Sequence, residues 1–240
     1  MEKTEFDQYS KNYRDIHTQN IGKVSGVDSD YFSEYKIREL SDRGIIKQER
    51  MHRWLDLGCG DGNTYQFVKK YFPNIQYSGI DISADSIEVA REKYITNEKA
   101  NLPDFLTYDG VQIPFADETF DVVYLACVLH HVPVDMRADL ISECKRVLKK
   151  PGNLIIFEHN PYNPVTLKMV NTCPFDADAV LLKEKELNRL CSNNRMCGKI
   201  RYTIFMPRKG IFQKMVKLEK YLSWLPLGGQ YYGVYEKMER

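Results

Sequence analysis

The sequence lacks an excess of charge of either sign and lacks long hydrophobic runs. Its 240 residues include 34 Lys and Arg and 33 Asp and Glu, for a formal net charge of +1. Such a chain has no net field to attract a polyanion such as DNA or tRNA. No stretch approaches the roughly 18 apolar residues that span a bilayer, and the first 20 residues are charged. We therefore expect a cytoplasmic protein without a nucleic-acid partner or membrane insertion.

Closely spaced cysteine pairs are also missing. The six cysteines are scattered, without a Cys-x-x-Cys pair, and several fall in apolar runs, as is typical of reduced cytosolic thiols. Cys173, Cys191, Cys197 and His159 form a conceivable ligand set, but their spacing matches no compact metal-binding pattern. The sequence predicts neither disulfides nor a metal site.

Strand-like and helix-like segments alternate along the middle of the chain, and no repeat or linker interrupts them. The predicted strands are 54–57, 76–80, 105–108, 120–128 and 154–157, with a turn at Pro151 and Gly152 before the last. The predicted helices are 64–72, 83–94 and 136–148. Alternation of this kind predicts an α/β fold with a parallel sheet and right-handed crossovers.

The two ends depart from this alternation, although we expect 1–240 to be a single domain. Residues 1–50, with a predicted helix at 31–40, form an N-terminal cap. Residues 52–158 form the α/β core, which is also the segment in which we expect a cofactor to bind if the motifs within it are functional. Residues 159–240 supply an insertion with a helix near 181–190, and two closing strands at 202–205 and 230–235. Both ends are expected to cover the open end of the sheet.

Three glycines at alternate positions follow the first predicted strand, in Asp56-Leu57-Gly58-Cys59-Gly60-Asp61-Gly62. Glycine permits backbone angles that a Cβ would penalise and lets the chain approach a ligand closely. A structural turn is the alternative interpretation, because glycine triplets are common. The strand before the motif and the helix after it favour a ligand-binding loop.

Polar residues also follow the next three strands. Asp81 ends the second strand, where an acid in a doubly wound fold holds a ribose diol; a helix cap or a solvated acid is the alternative. Asp109 and Gly110 follow the third strand, either as a plain turn or as a binding element. His130 and His131 follow the fourth. This is the edge at which open α/β sheets bind ligands.

These motifs together resemble the class I S-adenosylmethionine-dependent methyltransferases, in their small-molecule branch. The resemblance implies a Rossmann-like, doubly wound sheet of seven strands, mostly parallel with the last antiparallel, an N-terminal helical lid and an insertion after strand five. It implies S-adenosylmethionine as cofactor. The residues it implies for cofactor binding are Tyr9 and Tyr13 of the lid, Asp56, Gly58, Cys59, Gly60 and Gly62 around the methionine part, Asp81 at the ribose, Ile82, Asp109 and Gly110 at the adenine, and Ala126 near the sulfonium.

The acceptor is expected to be a small molecule, with a sugar, surface-polysaccharide or secondary-metabolite precursor and O-methylation favoured. His130, His131 and His159 are candidate general bases, since imidazole titrates near neutral pH; packed or loop histidines are the alternative. A nicotinamide-dependent oxidoreductase would need Gly-x-Gly-x-x-Gly, which the glycine spacing here does not match. A non-catalytic partner subunit with the same fold is a third hypothesis. The sequence is also compatible with a homodimer.

Overall fold

The computed structural model describes residues 28–47, 51–94, 102–206 and 216–238, and within these ranges helices and strands alternate. The helices are α1 (Ser29–Asp42), α2 (Thr64–Tyr71), α3 (Ala84–Lys93), α4 (Arg137–Val147), α5 (Pro164–Thr172) and α6 (Glu184–Asn193). The strands are β1 (His52–Leu57), β2 (Ile75–Asp81), β3 (Asp104–Thr107), β4 (Phe120–Ala126), β5 (Leu148–His159), β6 (Met196–Thr203) and β7 (Gln230–Lys237). Short 3-10 turns occupy Leu129–His131, Pro174–Asp176 and Val216–Tyr221.

All seven strands join one sheet in the order β3-β2-β1-β4-β5-β7-β6. Strands β1 to β5 pair in parallel, and β7 lies antiparallel between β5 and β6. The Rossmann-like, doubly wound sheet with an antiparallel last strand is therefore confirmed. The chain runs outward from β1 to β3 and then returns to β4 on the other side of β1. The crevice beyond the ends of β1 and β4 is where such sheets bind ligands.

Each face of the sheet carries its own apolar layer, because successive side chains of a strand point to opposite faces. In β4, Val123 and Leu125 pack with α4 and α6 on one face, while Val122 and Tyr124 pack with α1, α2 and α3 on the other. Helices on both faces account for the near-continuous apolar run of this strand. The sheet edge holding the candidate site thus rests on a core from both sides.

Two predictions about the second half of the chain were wrong in detail. Pro151 and Gly152 lie inside β5, where the register shifts between its pairing with Phe120 and with Val122, so the predicted turn is a bulge in a longer strand. Helix α5 was missed, although the side chain of Asn163 caps it and Pro164 occupies its first turn. Both residue types favour a helix start. Among the described residues, no helix combines the length and apolarity needed to cross a membrane.

Candidate functional site

The loop after β1 wraps around the end of β2. The N–H groups of Gly58 and Cys59 both donate to the carbonyl of Ile80, at 2.8 and 3.1 Å. The N–H of Gly60 donates to the Oδ2 atom of Asp81 at 2.8 Å. The glycine loop and the predicted ribose-binding acid therefore form one hydrogen-bonded unit at the carboxyl edge of the sheet.

The three glycines of the loop have positive φ values but different surroundings. Gly58 has φ +76°, and a Cβ there would lie 2.5 Å from Cγ2 of Val128. Gly62 has φ +72°, and a Cβ there would lie 2.7 Å from the ring of Phe105. Gly60 has φ +52°, and a Cβ there would meet no atom within 4 Å. Gly58 and Gly62 are thus needed for packing, whereas Gly60 borders open space that a ligand can fill.

The predicted ribose and adenine residues lie next to this loop. The Oδ1 atom of Asp81 accepts from the N–H of Ser83 at 2.9 Å, and Ser83 caps α3 as predicted. A Cβ on Gly110 (φ +80°) would lie 3.4 Å from Cγ2 of Ile82, so these two residues face each other. The Oδ1 atom of Asp109 closes the same turn by accepting the N–H groups of two following residues. The structure brings together the whole predicted adenosine half of the site.

Asp56 differs from its motif neighbours because its side chain enters the core. It is 1 % exposed, and the hydroxyl of Tyr77 donates to its Oδ2 atom at 2.5 Å. Burial, with the nearby charge of Asp81, raises the pKa of Asp56 to about 7. The side chain lies in the core beneath the glycine loop. It would therefore affect a bound cofactor only indirectly, through the position of the loop. Tyr9 and Tyr13 of the predicted lid lie outside the described residues.

Lys36 is a buried cation that the sequence analysis missed. It lies on α1, is 8 % exposed, and makes no hydrogen bond or ion pair with another described residue. Its charge acts on Asp56 at the end of β1, on Cys127 after β4 and on His159 at the end of β5. Because its charge reaches the ends of β1, β4 and β5, Lys36 is a candidate partner for an anion bound in the crevice. Nothing in the local sequence distinguishes Lys36 from a solvated helix lysine.

The three candidate histidines meet at the carboxyl ends of β4 and β5. The rings of His130 and His131 are 4.1 Å apart between centroids, and those of His130 and His159 are 5.1 Å apart. Two carboxylates join them: Oε2 of Glu158 lies 2.6 Å from Nδ1 of His130, and Oδ1 of Asp176 lies 3.7 Å from its Nε2. The sequence analysis had singled out neither acid. Asp176 reaches the cluster only because the chain after α5 folds back over the sheet edge.

The histidines have different protonation tendencies. Burial opposes a charge on His130, but Glu158 and Asp176 outweigh it and raise the pKa of this imidazole to about 10. Burial and the charge of His130 lower the pKa of His131 and of His159 to about 4. With a carboxylate at each of its ring nitrogens and a proton held between them, His130 is a poor general base. Among the three candidates, the electrostatics therefore favour His131 and His159 as the base.

The central segment of the sequence matches a known protein family. Residues 55–156 match the family model described as "Methyltransferase domain". This segment is a class I methyltransferase domain. The family uses S-adenosylmethionine, which argues against the nicotinamide-dependent oxidoreductase.

Curated relatives match about half of the chain. A demethylmenaquinone methyltransferase of Thermotoga maritima is 29 % identical over 50 % of this chain and 48 % of its own length. An O-methyltransferase of Aspergillus nomiae is 32 % identical over 52 % of this chain and 53 % of its own. A demethylmenaquinone methyltransferase of Staphylococcus aureus is 32 % identical over 58 % of this chain and 56 % of its own. The chain thus spans about half the length of these relatives.

Solved structures share the fold over a greater length. The methyltransferase in a Haloferax volcanii complex with the Trm112 methyltransferase activator has a TM-score of 0.70 and 17 % identity, with all of both chains covered. Phosphoethanolamine N-methyltransferase 2 of Haemonchus contortus, in complex with S-adenosylmethionine, has a TM-score of 0.65 and 16 % identity, over 99 % of this chain and 61 % of that one. At these identities the likeness concerns the fold.

Proposed function

We propose that this protein transfers the methyl group of S-adenosylmethionine to a hydroxyl oxygen of a small molecule. One observation carries the proposal: the open cradle at Gly60, the acid Asp81 and the buried cation Lys36 converge on one crevice, with a cluster of hydrogen-bonding side chains beside it. The curated relatives that match half of the chain support methyl transfer, and one of them is an O-methyltransferase.

The crevice suits each part of the methyl donor. Asp81 accepts the N–H of Gly60, the glycine that borders open space, so a ribose diol bound in that space would lie next to its carboxylate. Lys36 fits the methionine carboxylate, which would neutralise its buried charge. Ile82 and Gly110 border the space expected for adenine. The donor would then lie across the ends of β1, β2 and β4, with its methyl directed toward the histidines.

The chain's part in the reaction is mainly alignment. When bound, S-adenosylmethionine supplies a methyl group that forms a bond to the acceptor oxygen as its bond to sulfur breaks, with the bonding electrons left on sulfur. The protein must hold that oxygen in line with the methyl and keep water away. The hydroxyl proton leaves to a general base, for which His131 and His159 are the candidates. His130 would serve as a positioning residue between Glu158 and Asp176.

Gln230 favours an acceptor molecule that carries a hydrogen-bond donor, as a sugar or other polyhydroxy compound does. It is 8 % exposed, and its Nε2 atom lies 3.4 Å from both Sγ of Cys127 and Nδ1 of His159. Its Oε1 atom is buried and has no hydrogen-bond partner among the described residues. An unsatisfied buried acceptor costs about 1–3 kcal/mol. A hydroxyl donor bound beside His159 would satisfy it.

The acceptor class remains part of the proposal. A sugar or surface-polysaccharide precursor is our first choice, from the resemblance noted in the sequence. The O-methyltransferase relative agrees with a hydroxyl acceptor. The relatives named for demethylmenaquinone make a quinone-type ring the second choice, with methyl transfer to a ring carbon. A cytoplasmic location, where these precursors are made, belongs to the same proposal.

The test is to incubate purified protein with methyl-labelled S-adenosylmethionine and a native small-molecule extract, then to search for labelled products by mass spectrometry. We expect a labelled ether, with loss of labelling in Gln230→Leu and His159→Ala but retention of S-adenosylhomocysteine binding. If the cofactor binds and no small molecule becomes labelled, the proposal fails in favour of a non-catalytic subunit. A labelled amine or carboxylate would overturn the hydroxyl acceptor alone.

A further inference from the structure

We propose that His130, His131 and Asp176 bind a divalent transition-metal ion at the acceptor end of the crevice. The Nε2 atoms of His130 and His131 lie 3.7 and 3.5 Å from the same oxygen, Oδ1 of Asp176. The three candidate ligand atoms all lie within 4.8 Å of one another.

Two of the three separations, those from each histidine to Asp176, are close to those of a metal site. Zinc binds histidine nitrogen and carboxylate oxygen at about 2.0–2.2 Å, so neighbouring ligands of a tetrahedral ion are about 3.4 Å apart. The distances from the Nε2 atoms of His130 and His131 to Oδ1 of Asp176 exceed this value by only a few tenths of an ångström. They are too long for strong hydrogen bonds, which lie near 2.7–3.2 Å. The side chains are therefore gathered around a common point without contacting one another closely.

The second ring nitrogen of His130 pairs with a carboxylate, as that of a metal-binding histidine usually does. A histidine ligand generally donates its second ring nitrogen to a carboxylate, which fixes the ring and its tautomer. Oε2 of Glu158 lies 2.6 Å from Nδ1 of His130, and its Oε1 accepts the N–H of Leu129 at 2.8 Å. Glu158 is fully buried and is held on both sides. Nε2 of His130 is directed toward Asp176, and an ion bound there would displace the proton from this nitrogen to solvent.

The ligand set also indicates the class of ion. Two imidazoles and one carboxylate suit zinc, manganese or iron(II), and a site with three protein ligands keeps coordination positions open for a further ligand. His131 and Asp176 are partly exposed, so that opening has access to solvent. None of the cysteines belongs to this group. The sequence analysis predicted no metal because it weighed cysteine spacing, whereas the ligands here come from two separate turns.

If the proposed methyl transfer holds, the open position would receive the acceptor oxygen. An ion there would polarise the hydroxyl and fix it in line with the methyl. His131 would then act as a ligand, leaving His159 as the candidate base. Metal binding itself does not depend on that role, since it can be measured without donor or acceptor.

The experiment is to strip the full chain with a chelator and titrate it with Zn²⁺ and, separately, with Co²⁺. Competition with a chromophoric chelator gives affinity, and the cobalt absorption spectrum reports the ligand type. We expect one ion per chain, visible cobalt bands of nitrogen and oxygen ligation, and no thiolate charge-transfer band. We expect Asp176→Asn and His131→Ala each to weaken binding at least tenfold, and Glu158→Gln to weaken it about 10- to 100-fold.

Asp178→Asn is the matched control, because Asp178 is an exposed carboxylate two residues from Asp176. It should bind both ions as the wild type does. Circular dichroism of every stripped variant checks that it is folded. A stripped wild type without a one-to-one site, equal binding by wild type and Asp176→Asn, or a thiolate band would overturn the metal site. If such a protein still methylated its acceptor, the proposed function would stand while this inference fell.

Discussion

The two halves of the crevice are built differently. At the ends of β1 and β2, the backbone forms the site, with the Gly58–Gly62 loop hydrogen-bonded to Ile80 and Asp81. At the ends of β4 and β5, buried charged side chains form it, centred on His130 between Glu158 and Asp176. A backbone site needs glycines at fixed spacing, so it leaves a short motif in the sequence. A side-chain site can draw its members from anywhere in the chain.

The two halves of the crevice also differ in how much of each lies in the segment that matches the methyltransferase family. The family match covers residues 55–156, which contain the loop, Asp81 and the histidine pair after β4. Glu158, Asp176 and Gln230 all lie beyond it. Apart from Lys36, the residues that we assign to the donor lie in the segment shared with other methyltransferases, whereas several of those that we assign to the acceptor lie outside it.

The largest expected effect on stability concerns the charged side chains at the ends of β4 and β5. Glu158→Gln should lower the free energy of unfolding by about 4 kcal/mol, because it leaves His130 without its closest counter-charge in a buried site. Urea denaturation measures this. Glu118→Gln, which alters an exposed acid paired with Lys237, should change the value by less than about 0.5 kcal/mol. Equal effects of the two variants would show that the buried pair does not stabilise this half.

Two alanine substitutions in the glycine loop separate a glycine needed for packing from one that borders the ligand space. Gly58→Ala should lower the free energy of unfolding by about 3 kcal/mol, because it combines a positive φ with a clash against Val128. Gly60→Ala should lower it by only about 1 kcal/mol, from the positive φ alone. It should nevertheless weaken S-adenosylhomocysteine binding about tenfold, because the new methyl enters the cradle. Urea denaturation and calorimetric titration of both variants check this, and normal binding by Gly60→Ala would contradict the assignment of the cradle.

Asp56 predicts a dependence of stability on pH. The folded pKa near 7 lies above the unfolded value of about 3.9, so the stabilisation by the protonated acid is present at low pH and is lost as the pH rises through 7. Relative to Asp56→Asn, the ligand-free wild type should lose about 2 kcal/mol between pH 5 and pH 8. Denaturation curves of both proteins at several pH values measure the difference. Parallel pH profiles would mean that Asp56 ionises normally.

The smallest expected effect tests the role of Lys36. Lys36→Met should weaken S-adenosylhomocysteine binding about tenfold, or about 1.4 kcal/mol, by removing a partner of the methionine carboxylate. It should not weaken binding of methylthioadenosine, which keeps the adenosine and sulfur but lacks that carboxylate. Lys168→Met changes an exposed lysine of α5 and is the control. An equal loss for both ligands would assign Lys36 to the structure of the crevice instead.

The sequence predicted the sheet and its order of elements, since these rest on apolar periodicity, and it predicted that the glycine loop and Asp81 lie together, since both follow neighbouring strands. It placed Asp56 with the binding residues because a motif does not reveal which way a side chain points. It missed α5 because the Asn163 cap and Pro164 were interpreted as a rigid loop. It could not place Asp176 or Lys36 at the crevice, because the positions of both depend on tertiary packing.

The central claim is that the bend around Gly60, together with Asp81, holds S-adenosylmethionine. Its most direct test is calorimetric titration of the wild type and of Asp81→Ala with S-adenosylhomocysteine. The account predicts one molecule bound per wild-type chain and binding about 100-fold weaker in the variant, because charged hydrogen bonds contribute roughly 1.5–3 kcal/mol each. Absence of binding to the wild type at millimolar ligand, or equal affinity in a folded Asp81→Ala, would contradict it.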